Sequence, residues 1–429
     1  MIEKNEKYDH YKPSGVEWLG EIPRHWEVKK IKRMFHEVKK RSNSELNCGS
    51  ISFGKVVFKD DEKIPEATKK SYQVVLKGDF LVNPLNLNYD LISLRVALSD
   101  IDVVVSSGYI VLHNSIDIDK SYFKWLLHRF DVEHMKLLGS GVRQTLNYAD
   151  IGNCDLIFPP LAEQTAIAAY LDHKTAQIDT AIAQKQRMIT LLKERQQILI
   201  HKAVTQGLDP SVKRKKSGVE WIGEVPQHWE VLPLTKYASR IDYRGKTPEK
   251  VEEGVFLVTT KNIKNGIIDY EISKEYVMEK QYHNIMSRGL PIKGDILFTM
   301  EAPLGMSAVV DRTDVAIAQR IIKFRFCQKK FNSSFVNYSI QSGYFQKHLQ
   351  KEGTGSIAQG IKASKLHKLK LISPPLNEQE QIVNHIELLT TKIATAVRLK
   401  EAEILRLKEY KSSLINGVVT GKVRVKSGK

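Results

Sequence analysis

Cysteine and long apolar runs are both scarce in this chain. Cys48, Cys154 and Cys327 lie far apart and outside any Cys-x-x-Cys spacing, which argues against a disulfide framework and a thiolate zinc site. We expect three buried, reduced thiols in a cytoplasmic protein. The first ten residues are charged, and no run approaches the roughly 18 apolar residues of a membrane span. We therefore expect neither a signal peptide nor a membrane partner.

Signatures of catalysis and cofactor binding are also missing. The segment 417–421 (GVVTG) precedes a lysine but lacks the spacing of a phosphate-binding loop. The segment 83–86 (NPLN) approaches the Asn-Pro-Pro-aromatic motif of amino-group methyltransferases but lacks the second proline and the aromatic residue. HExxH and a His-Asp-Ser arrangement are absent. The sequence thus predicts no catalytic residue, no metal site and no cofactor bound by this chain.

Positive charge is in excess. The chain has 66 Lys and Arg against 49 Asp and Glu, a net charge of +17, which favours a polyanionic partner and above all DNA. The excess is uneven, since residues 36–158 hold 15 basic and 16 acidic residues, whereas residues 239–373 hold 22 and 13. DNA binding by the first region must therefore depend on local patches such as Lys39, Lys40 and Arg41.

A duplicated frame is the most informative feature. Residues 14–28 (SGVEWLGEIPRHWEV) return as 217–231 (SGVEWIGEVPQHWEV), and PPLAEQ at 159–164 returns as PPLNEQ at 374–379. The regions between these motifs are only faintly alike. This order of frame, variable unit and helix, given twice, predicts two unlike readers presented to one elongated partner.

Each Pro-Pro motif begins a helical pattern. From about residue 161 to 205, and again 215 residues later, apolar residues repeat with heptad spacing. We expect two helices of about 40 residues, ended by Gly207 and by Gly417 or Gly421, that pack antiparallel as a coiled coil. The alternative, that each helix packs on its own domain, stays open. The predicted seam consists of Leu171, Ile178, Ile182, Ile189, Leu192, Leu199, Ile386, Ile393, Val397, Ile404, Leu407 and Leu414.

The variable units are predicted to be mixed α/β. Apolar runs at 72–76, 79–82, 103–106 and 109–113 precede a helix at 121–138, and runs at 255–259, 295–300, 309–310 and 317–326 precede a helix at 334–351. The phrases KGDFL at 77–81 and KGDIL at 293–297 indicate a shared fold. The predicted domains are 1–158, the helix 159–207, 208–373 with a linker at 208–217, and the helix and tail 374–429.

Candidate DNA contacts are basic and amide side chains on predicted loops, because Arg and Lys can bridge guanine and Asn and Gln can bridge adenine. In the second unit they are Tyr243, Arg244, Lys246, Lys261, Asn262, Lys264, Asn265, Gln319, Arg320, Gln359 and Lys362. In the first they are Lys39, Lys40, Arg41, Arg143, Gln144 and Asn147, with Asn83, Asn86 and Asn88 as further loop amides. Any one of them could instead be solvated or satisfy a turn.

The repeated aromatic residues of the frame invite a different interpretation. Trp18, Trp26, Trp221 and Trp229 could stack on bases, but their recurrence beside a proline favours packing within the frame. His25 and His228 are likewise predicted to be packed or capping residues rather than metal ligands.

These motifs resemble the specificity subunit of type I restriction–modification systems. The resemblance is carried by GE(I/V)PxHWE at 20–27 and 223–230, by both PPLxEQ motifs, and by RGKTP at 244–248, GDIL at 294–297 and AQR at 318–320. It implies two mixed α/β target-recognition domains joined by two long antiparallel helices, with a pseudo-twofold internal repeat. Each domain would read one half of an asymmetric bipartite site in double-stranded DNA. Two methyltransferase subunits and restriction subunits would dock on the chain and would use S-adenosylmethionine, ATP and Mg.

Three other functions stay open on the sequence alone. A self-contained restriction enzyme or methyltransferase would need the cofactor motifs that are missing. A coiled-coil scaffold would bind proteins and show weak, sequence-blind affinity for DNA. A DNA-binding regulator would bind a near-symmetric site, whereas two diverged units predict an asymmetric one.

Overall fold

Two compact units make up the chain. The computed structural model describes residues 6–85, 95–135, 138, 145–243, 248–353 and 360–425. Unit 1 comprises residues 1–185 and 402–429, and unit 2 comprises residues 186–401. Two long helices, α5 (Leu161–Gln206) and α9 (Leu376–Val419), each contribute residues to both units.

Unit 1 is built from short strands and short helices that precede α5. The strands are β1 (Tyr11–Pro13), β2 (Glu21–Pro23), β3 (Glu27–Lys30), β4 (Phe35–Glu37), β5 (Gly49–Ser52), β6 (Lys55–Phe58), β7 (Gln73–Val75), β8 (Phe80–Val82), β9 (Val96–Leu98), β10 (Val103–Val105), β11 (Ile110–Asn114) and β12 (Asp155–Phe158). The helices are α1 (Ile31–Met34), α2 (Glu66–Lys70), α3 (Lys120–Phe130), which continues as a π-helical turn (Asp131–Met135), and α4 (Tyr148–Gly152), with a 3-10 turn at Asp61–Lys63.

Unit 2 repeats this plan between α5 and α9. Its strands are β13 (Arg214–Lys216), β14 (Glu224–Pro226), β15 (Glu230–Pro233), β16 (Ala238–Asp242), β17 (Val255–Val258), β18 (Ile263–Lys264), β19 (Ile267–Ile268), β20 (Tyr276–Val277), β21 (Ile296–Thr299), β22 (Ser307–Val309), β23 (Val315–Ile317), β24 (Ile321–Phe326) and β25 (Lys370–Ser373). The helices are α6 (Glu279–Ile285), α7 (Ser333–Gln341) and α8 (Gly343–Glu352), with a 3-10 turn at Ala363–Lys368.

A four-stranded antiparallel sheet is central to each unit. Its strand order is β4-β11-β8-β9 in unit 1 and β16-β24-β21-β22 in unit 2. A smaller sheet lies beside it, made of β10 and β7 in unit 1 and of β20, β17 and β23 in unit 2. The equal strand orders confirm the prediction of two mixed α/β units with one shared fold.

Several predicted elements need correction. The run 317–326 is not one strand, because residues 318–320 form a turn between β23 and β24. The helix predicted at 334–351 is broken at Ser342, whose backbone is extended (ψ 153°). Residues 208–217 are not simply a linker, since β13 pairs antiparallel with β14 just as β1 pairs with β2. The basic run at 213–216 thus belongs to the duplicated frame.

A repeated polar contact joins the frame to the start of each long helix. The Glu163 carboxylate accepts hydrogen bonds from Trp26 Nε1 (3.1 Å) and His25 Nε2 (2.6 Å). Glu378 accepts equivalent bonds from Trp229 Nε1 (2.9 Å) and His228 Nε2 (2.6 Å). Trp26 and Trp229 are completely buried, which confirms that they pack within the frame.

The glutamine that follows each glutamate fixes the variable unit to the helix start. Gln164 is buried, donates to the Pro159 carbonyl (2.8 Å) and accepts from the Asp119 amide (2.9 Å). Gln379 accepts from the Asn332 amide at the same distance. Asp119 and Asn332 are the N-cap residues of α3 and α7. The motif PPLxEQ therefore holds both the frame and the first helix that follows the central sheet.

The long helices pack antiparallel within each unit. In unit 1, Lys411 Nζ donates a hydrogen bond to Asp179 Oδ1 (2.7 Å). Lys185 forms an ion pair with Glu403, further along both helices. In unit 2, Gln196 bonds Thr390 (3.2 Å). The twelve predicted seam residues are all buried or half-buried, as a seam between the two helices requires.

A glycine ends each long helix, as predicted, but one of the three predicted glycine stops is wrong. Gly207 and Gly421 have positive φ (76° and 75°), the conformation that favours glycine after a helix. The stop predicted at Gly417 is wrong, since this residue lies within α9. The helices are consequently 46 and 44 residues long, somewhat longer than predicted.

The cysteines are free, but only Cys48 is buried. The predicted burial is wrong for the exposed Cys327 and incomplete for the half-buried Cys154. In the part of the chain that the structure describes, no helix is both long and apolar enough to cross a membrane.

Replacing Glu163 with alanine tests the frame contact. Burial alone raises the pKa of Glu163, but hydrogen bonds from Tyr8, His25 and Trp26 outweigh it and lower the pKa. Removing the carboxylate leaves the buried indole N–H of Trp26 without a partner, so unfolding should become about 1–3 kcal/mol more favourable. Urea denaturation followed by tryptophan fluorescence measures this loss.

The matched control is Glu194→Ala, because Glu194 is exposed on the same helix. It should leave the urea midpoint unchanged. An equal shift for both variants would mean that the frame contact contributes nothing of its own.

Candidate nucleic-acid interface

Four loops of unit 2 meet at one end of its central sheet. They are residues 259–266, 300–306, 318–320 and 360–362, and we call them the unit 2 loop cluster. The Met300 amide donates to the Arg320 carbonyl (3.0 Å), and the Ile361 amide donates to the Met300 carbonyl (3.1 Å). Thr260 Oγ1 donates to the Ala302 carbonyl (3.4 Å). Backbone contacts thus bring together loops that are distant in sequence.

The loop 300–306 is held in one conformation by buried contacts. Thr299 is fully buried, and its hydroxyl donates to the Pro303 carbonyl (2.5 Å) and accepts from the Met306 amide (2.9 Å). Gly305 has a φ of 83°, and a Cβ there would lie 2.3 Å from Leu349 Cδ2. The side chains of this loop are therefore presented from a backbone that is already ordered, which lowers the entropic cost of binding.

Seven predicted contact residues lie in this cluster, and all but Asn262 are at least partly exposed. Five of them are exposed and Gln319 is half-buried; the exposed ones are Lys261, Lys264, Asn265, Arg320 and Lys362. Arg320 forms an ion pair with Glu301 through Nε (3.3 Å). Basic and amide side chains on an ordered surface can bind phosphates and base edges.

Two predictions for unit 2 are wrong. Asn262 is fully buried, with Oδ1 accepting from the Thr259 amide (2.8 Å) and Nδ2 donating to the Asp269 carbonyl (3.0 Å). Tyr243 is also buried and donates to the Gly289 carbonyl (2.6 Å). Both side chains stabilise turns and cannot reach a base. Arg244, Lys246 and Gln359 lie outside the described residues.

Unit 1 has a matching arrangement of loops with different chemistry. The Leu146 amide donates to the Pro84 carbonyl (3.1 Å), as Ile361 does to Met300 in unit 2. An isolated β-bridge joins Leu85 to Thr145, in the same way as an isolated β-bridge joins Glu301 to Gly360 in unit 2. An exposed leucine therefore stands where unit 2 has a glutamate.

The basic patch predicted in unit 1 borders this arrangement. Lys39, Lys40 and Arg41 are exposed, and Lys40 Nζ donates to the Ser107 carbonyl (2.8 Å) in the turn between β10 and β11. That turn corresponds in strand order to residues 318–320 of unit 2. These three side chains are thus accessible for the contacts predicted for them.

The side-chain amides predicted as DNA contacts in unit 1 form local hydrogen bonds where the structure describes them. Asn147 is exposed and is the N-cap of α4, where its Oδ1 takes part in a capping box with Asp150, and its contact with DNA stays a prediction. Asn83 accepts from the Leu85 amide (3.1 Å) and orders its own loop. The remaining candidates Arg143, Gln144, Asn86 and Asn88 lie outside the described residues.

Sequence reasoning missed the hairpin between β5 and β6. Its tip consists of Phe53 and Gly54, both with positive φ (46° and 72°), and Phe53 is 87% exposed. The tip corresponds to Asn265 and Gly266 of unit 2, which have positive φ of 52° and 84°. The Asn-Gly pair is a recognisable turn signal, whereas a Phe-Gly pair is not, and so only the second hairpin could be found from the sequence.

A side chain of α3 fixes the strand beside this hairpin. His128 Nε2 donates to the Val96 carbonyl (2.8 Å). Burial lowers the pKa of His128 to about 4. The ring is therefore neutral at pH 7 and can be charged in the folded unit only at considerable cost.

Acidification should consequently destabilise unit 1. The unfolded chain binds a proton at His128 with a pKa of about 6.5, so this contribution to stability is complete above that pH and is lost as the pH falls towards 4. We expect a loss of about 1–2 kcal/mol between pH 7.5 and 5, measured by urea denaturation. His128→Gln should reduce this pH dependence, whereas His173→Gln, at an exposed position of α5, should leave it unchanged. Equal pH dependence in the wild type and His128→Gln would contradict the assignment.

Comparison with known proteins identifies the family of this chain. A model described as the type I restriction modification DNA specificity domain matches residues 23–190 and 241–405, which is more than half of the chain. The chain belongs to this family. The first match begins within a frame motif and the second begins within β16, and both run into a long helix, so the family covers both variable units.

Relatives with sequence similarity are specificity subunits. The chain is 24% identical over 438 residues to a putative type I restriction enzyme MjaX specificity subunit of Methanocaldococcus jannaschii, covering 95% of this chain and 96% of that protein. It is 27% identical over 286 residues to the MjaVIII specificity subunit of the same organism, covering 64% and 63%. It is 26% identical over 245 residues to the EcoBI specificity subunit of Escherichia coli, covering 54% and 50%.

Two solved structures share the fold. One is a chain from a study of complex assembly and conformational transition in a type I restriction–modification system, with a TM-score of 0.70, 15% identity and coverage of 93% of this chain and 98% of that chain. The other is the HsdS subunit of Thermoanaerobacter tengcongensis, with a TM-score of 0.53, 15% identity and coverage of 94% and 98%.

Proposed function

We propose that this chain is the subunit that selects the DNA sequence in a type I restriction–modification complex, and that it binds an asymmetric bipartite site. The observation that carries the proposal is the pair of matched loop clusters with unlike side chains. The same backbone bridge presents Glu301 in unit 2 and Leu85 in unit 1. One frame thus positions two different surfaces, and two different surfaces select two different half-sites.

The charges of the two units support different modes of binding. The unit 2 loop cluster carries exposed Lys261, Lys264 and Arg320, which suit phosphates and guanine edges. Unit 1 offers exposed Lys39, Lys40 and Arg41 and an exposed apolar residue, Leu85. Its half-site contact therefore depends on a local basic patch and on apolar contacts, for example with a thymine methyl group.

We further propose that two copies of a methyltransferase subunit dock on the duplicated frame. Burial explains why Trp26 and Trp229 recur, but it does not explain identical exposed residues. Glu17 and Glu21 are exposed in the first copy, and Glu220 and Glu224 are exposed in the second. Two equal pairs of exposed glutamates suit two equal partners.

Catalysis would then lie in the partner subunits. S-adenosylmethionine would be bound by the methyltransferase subunits, and ATP and Mg by restriction subunits. This chain would contribute the binding of DNA and the placement of those subunits along it.

Mapping of methylated adenines tests the proposal. The chain is co-expressed with its methyltransferase partner in a host that lacks adenine methylation, and modified adenines are located throughout the genome. The expected result is one asymmetric motif of two short halves separated by a fixed gap. A stable complex that adds no methylation and binds DNA without sequence preference would favour the scaffold function instead.

The contribution of the loop cluster can be measured by salt titration. Lys264→Ala should weaken DNA binding by the complex and lower the slope of log K against log salt by about one. The control is Lys293→Ala, because Lys293 is exposed at the opposite end of β21 from the cluster. An unchanged slope for Lys264→Ala, or the same change for both, would remove Lys264 from the interface.

A further inference from the structure

We propose that Glu301 and Arg320 form a reading pair that recognises the guanine of a G·C base pair in the half-site of unit 2. This inference rests on the proposed function. Arg320 is the base-contacting residue, and Glu301 is the residue that positions it.

The geometry of the pair leaves the arginine available to DNA. Arg320 Nε lies 3.3 Å from Glu301 Oε1, and the two side chains are 54% and 47% exposed. A contact through Nε leaves the two terminal NH2 groups of the guanidinium to make further hydrogen bonds. An exposed ion pair of this kind adds little to folding stability, so stability alone does not account for it.

The backbone around the pair supports a functional role. Arg320 has a φ of 75° and Ala302, next to Glu301, has a φ of 44°. Residues with a Cβ are strained in this region, and strained residues concentrate at functional sites. Glycine would relieve the strain at either position, yet position 320 holds the side chain with the largest set of fixed donors.

Backbone hydrogen bonds fix the positions of both residues of the pair. The Arg320 carbonyl accepts from the Met300 amide (3.0 Å), and Glu301 is bridged to Gly360. The pair therefore joins three of the four loops in the cluster. The rotamers of a long side chain are restricted by such a carboxylate partner, which lowers the entropy lost on binding.

Electrostatics favours a base edge over a phosphate as the ligand of this arginine. A phosphate bound to Arg320 would lie next to the Glu301 carboxylate and be repelled by it. The guanine edge is neutral and presents two acceptors, O6 and N7, which match the parallel donors of a guanidinium. Adenine presents an N6 donor in place of O6, and arginine has no acceptor for it.

At the matching described positions of unit 1 this pair does not occur. In unit 1, Leu85 occupies the place of Glu301, and the turn between β10 and β11 contains no arginine. Changes to the pair should thus alter one half of the recognised site and leave the other half intact.

The test uses the full chain in complex with its methyltransferase partner. Once the methylated motif of the wild type is known, binding is measured by fluorescence anisotropy on a set of duplexes with every single base-pair substitution. We expect a G·C pair in the half-site of unit 2 at which substitution weakens wild-type binding about tenfold or more. Arg320→Ala should remove that discrimination, whereas Arg320→Lys, which keeps a donor for guanine but loses the planar fork, and Glu301→Gln should reduce it.

The control is Arg312→Ala, since Arg312 also forms an exposed ion pair, with Asp314 (Nε to Oδ1 2.8 Å), but lies before β23 rather than after it. It should leave the discrimination at every position unchanged. Thermal melts of all variants, followed by circular dichroism, separate loss of folding from loss of base discrimination. Arg320→Lys retains the positive charge and so separates the effect of charge from that of the guanidinium.

Two results would overturn the inference while the proposed function stands. One is a bipartite wild-type motif whose unit 2 half contains no G·C pair. The other is full discrimination at every position in Arg320→Ala. A wild-type complex without any sequence preference would instead contradict the proposed function itself.

Discussion

The contact on which both units depend is a carboxylate at the start of each long helix that accepts hydrogen bonds from a buried indole and an imidazole. Glu163 and Glu378 hold Trp26 and Trp229 in this way, and the neighbouring glutamines hold the N-cap residues of α3 and of α7. A buried indole N–H is costly without a partner. The frame, the helix start and the variable unit are thus coupled at a single point, which occurs twice.

This coupling lets the loops vary without loss of the fold. The central sheets share one strand order, and the loops at one end share the bridges that bring Leu85 to Thr145 and Glu301 to Gly360. Some side chains of those loops, such as Met300 and Ile361, belong to the core, but the exposed ones, such as Lys264 and Arg320, do not. These exposed side chains can therefore differ between the two units while the duplicated frame stays the same.

Much of the fold could be predicted from the sequence, because repetition and periodicity are local signals. The long helices, their seam and most strands followed from heptad spacing and apolar runs. The hairpin at Phe53 could not be found, since a Phe-Gly pair is no turn signal. The break at Ser342 does have a signal, the Ser342-Gly343 pair, but the helical pattern continues on both sides of it. Within the site, exposure decided the outcome: Lys264 and Arg320 are on the surface, whereas Asn262 and Tyr243 are buried by contacts between distant residues.

The central claim is that one frame presents two independent readers. The most direct measurement is the methylation map of a chimera in which residues 36–158 are replaced by residues 239–373, co-expressed with the methyltransferase partner. The account predicts a motif built from two copies of the half-site read by unit 2. A chimera that folds, binds its partner and still methylates the original asymmetric motif would contradict it.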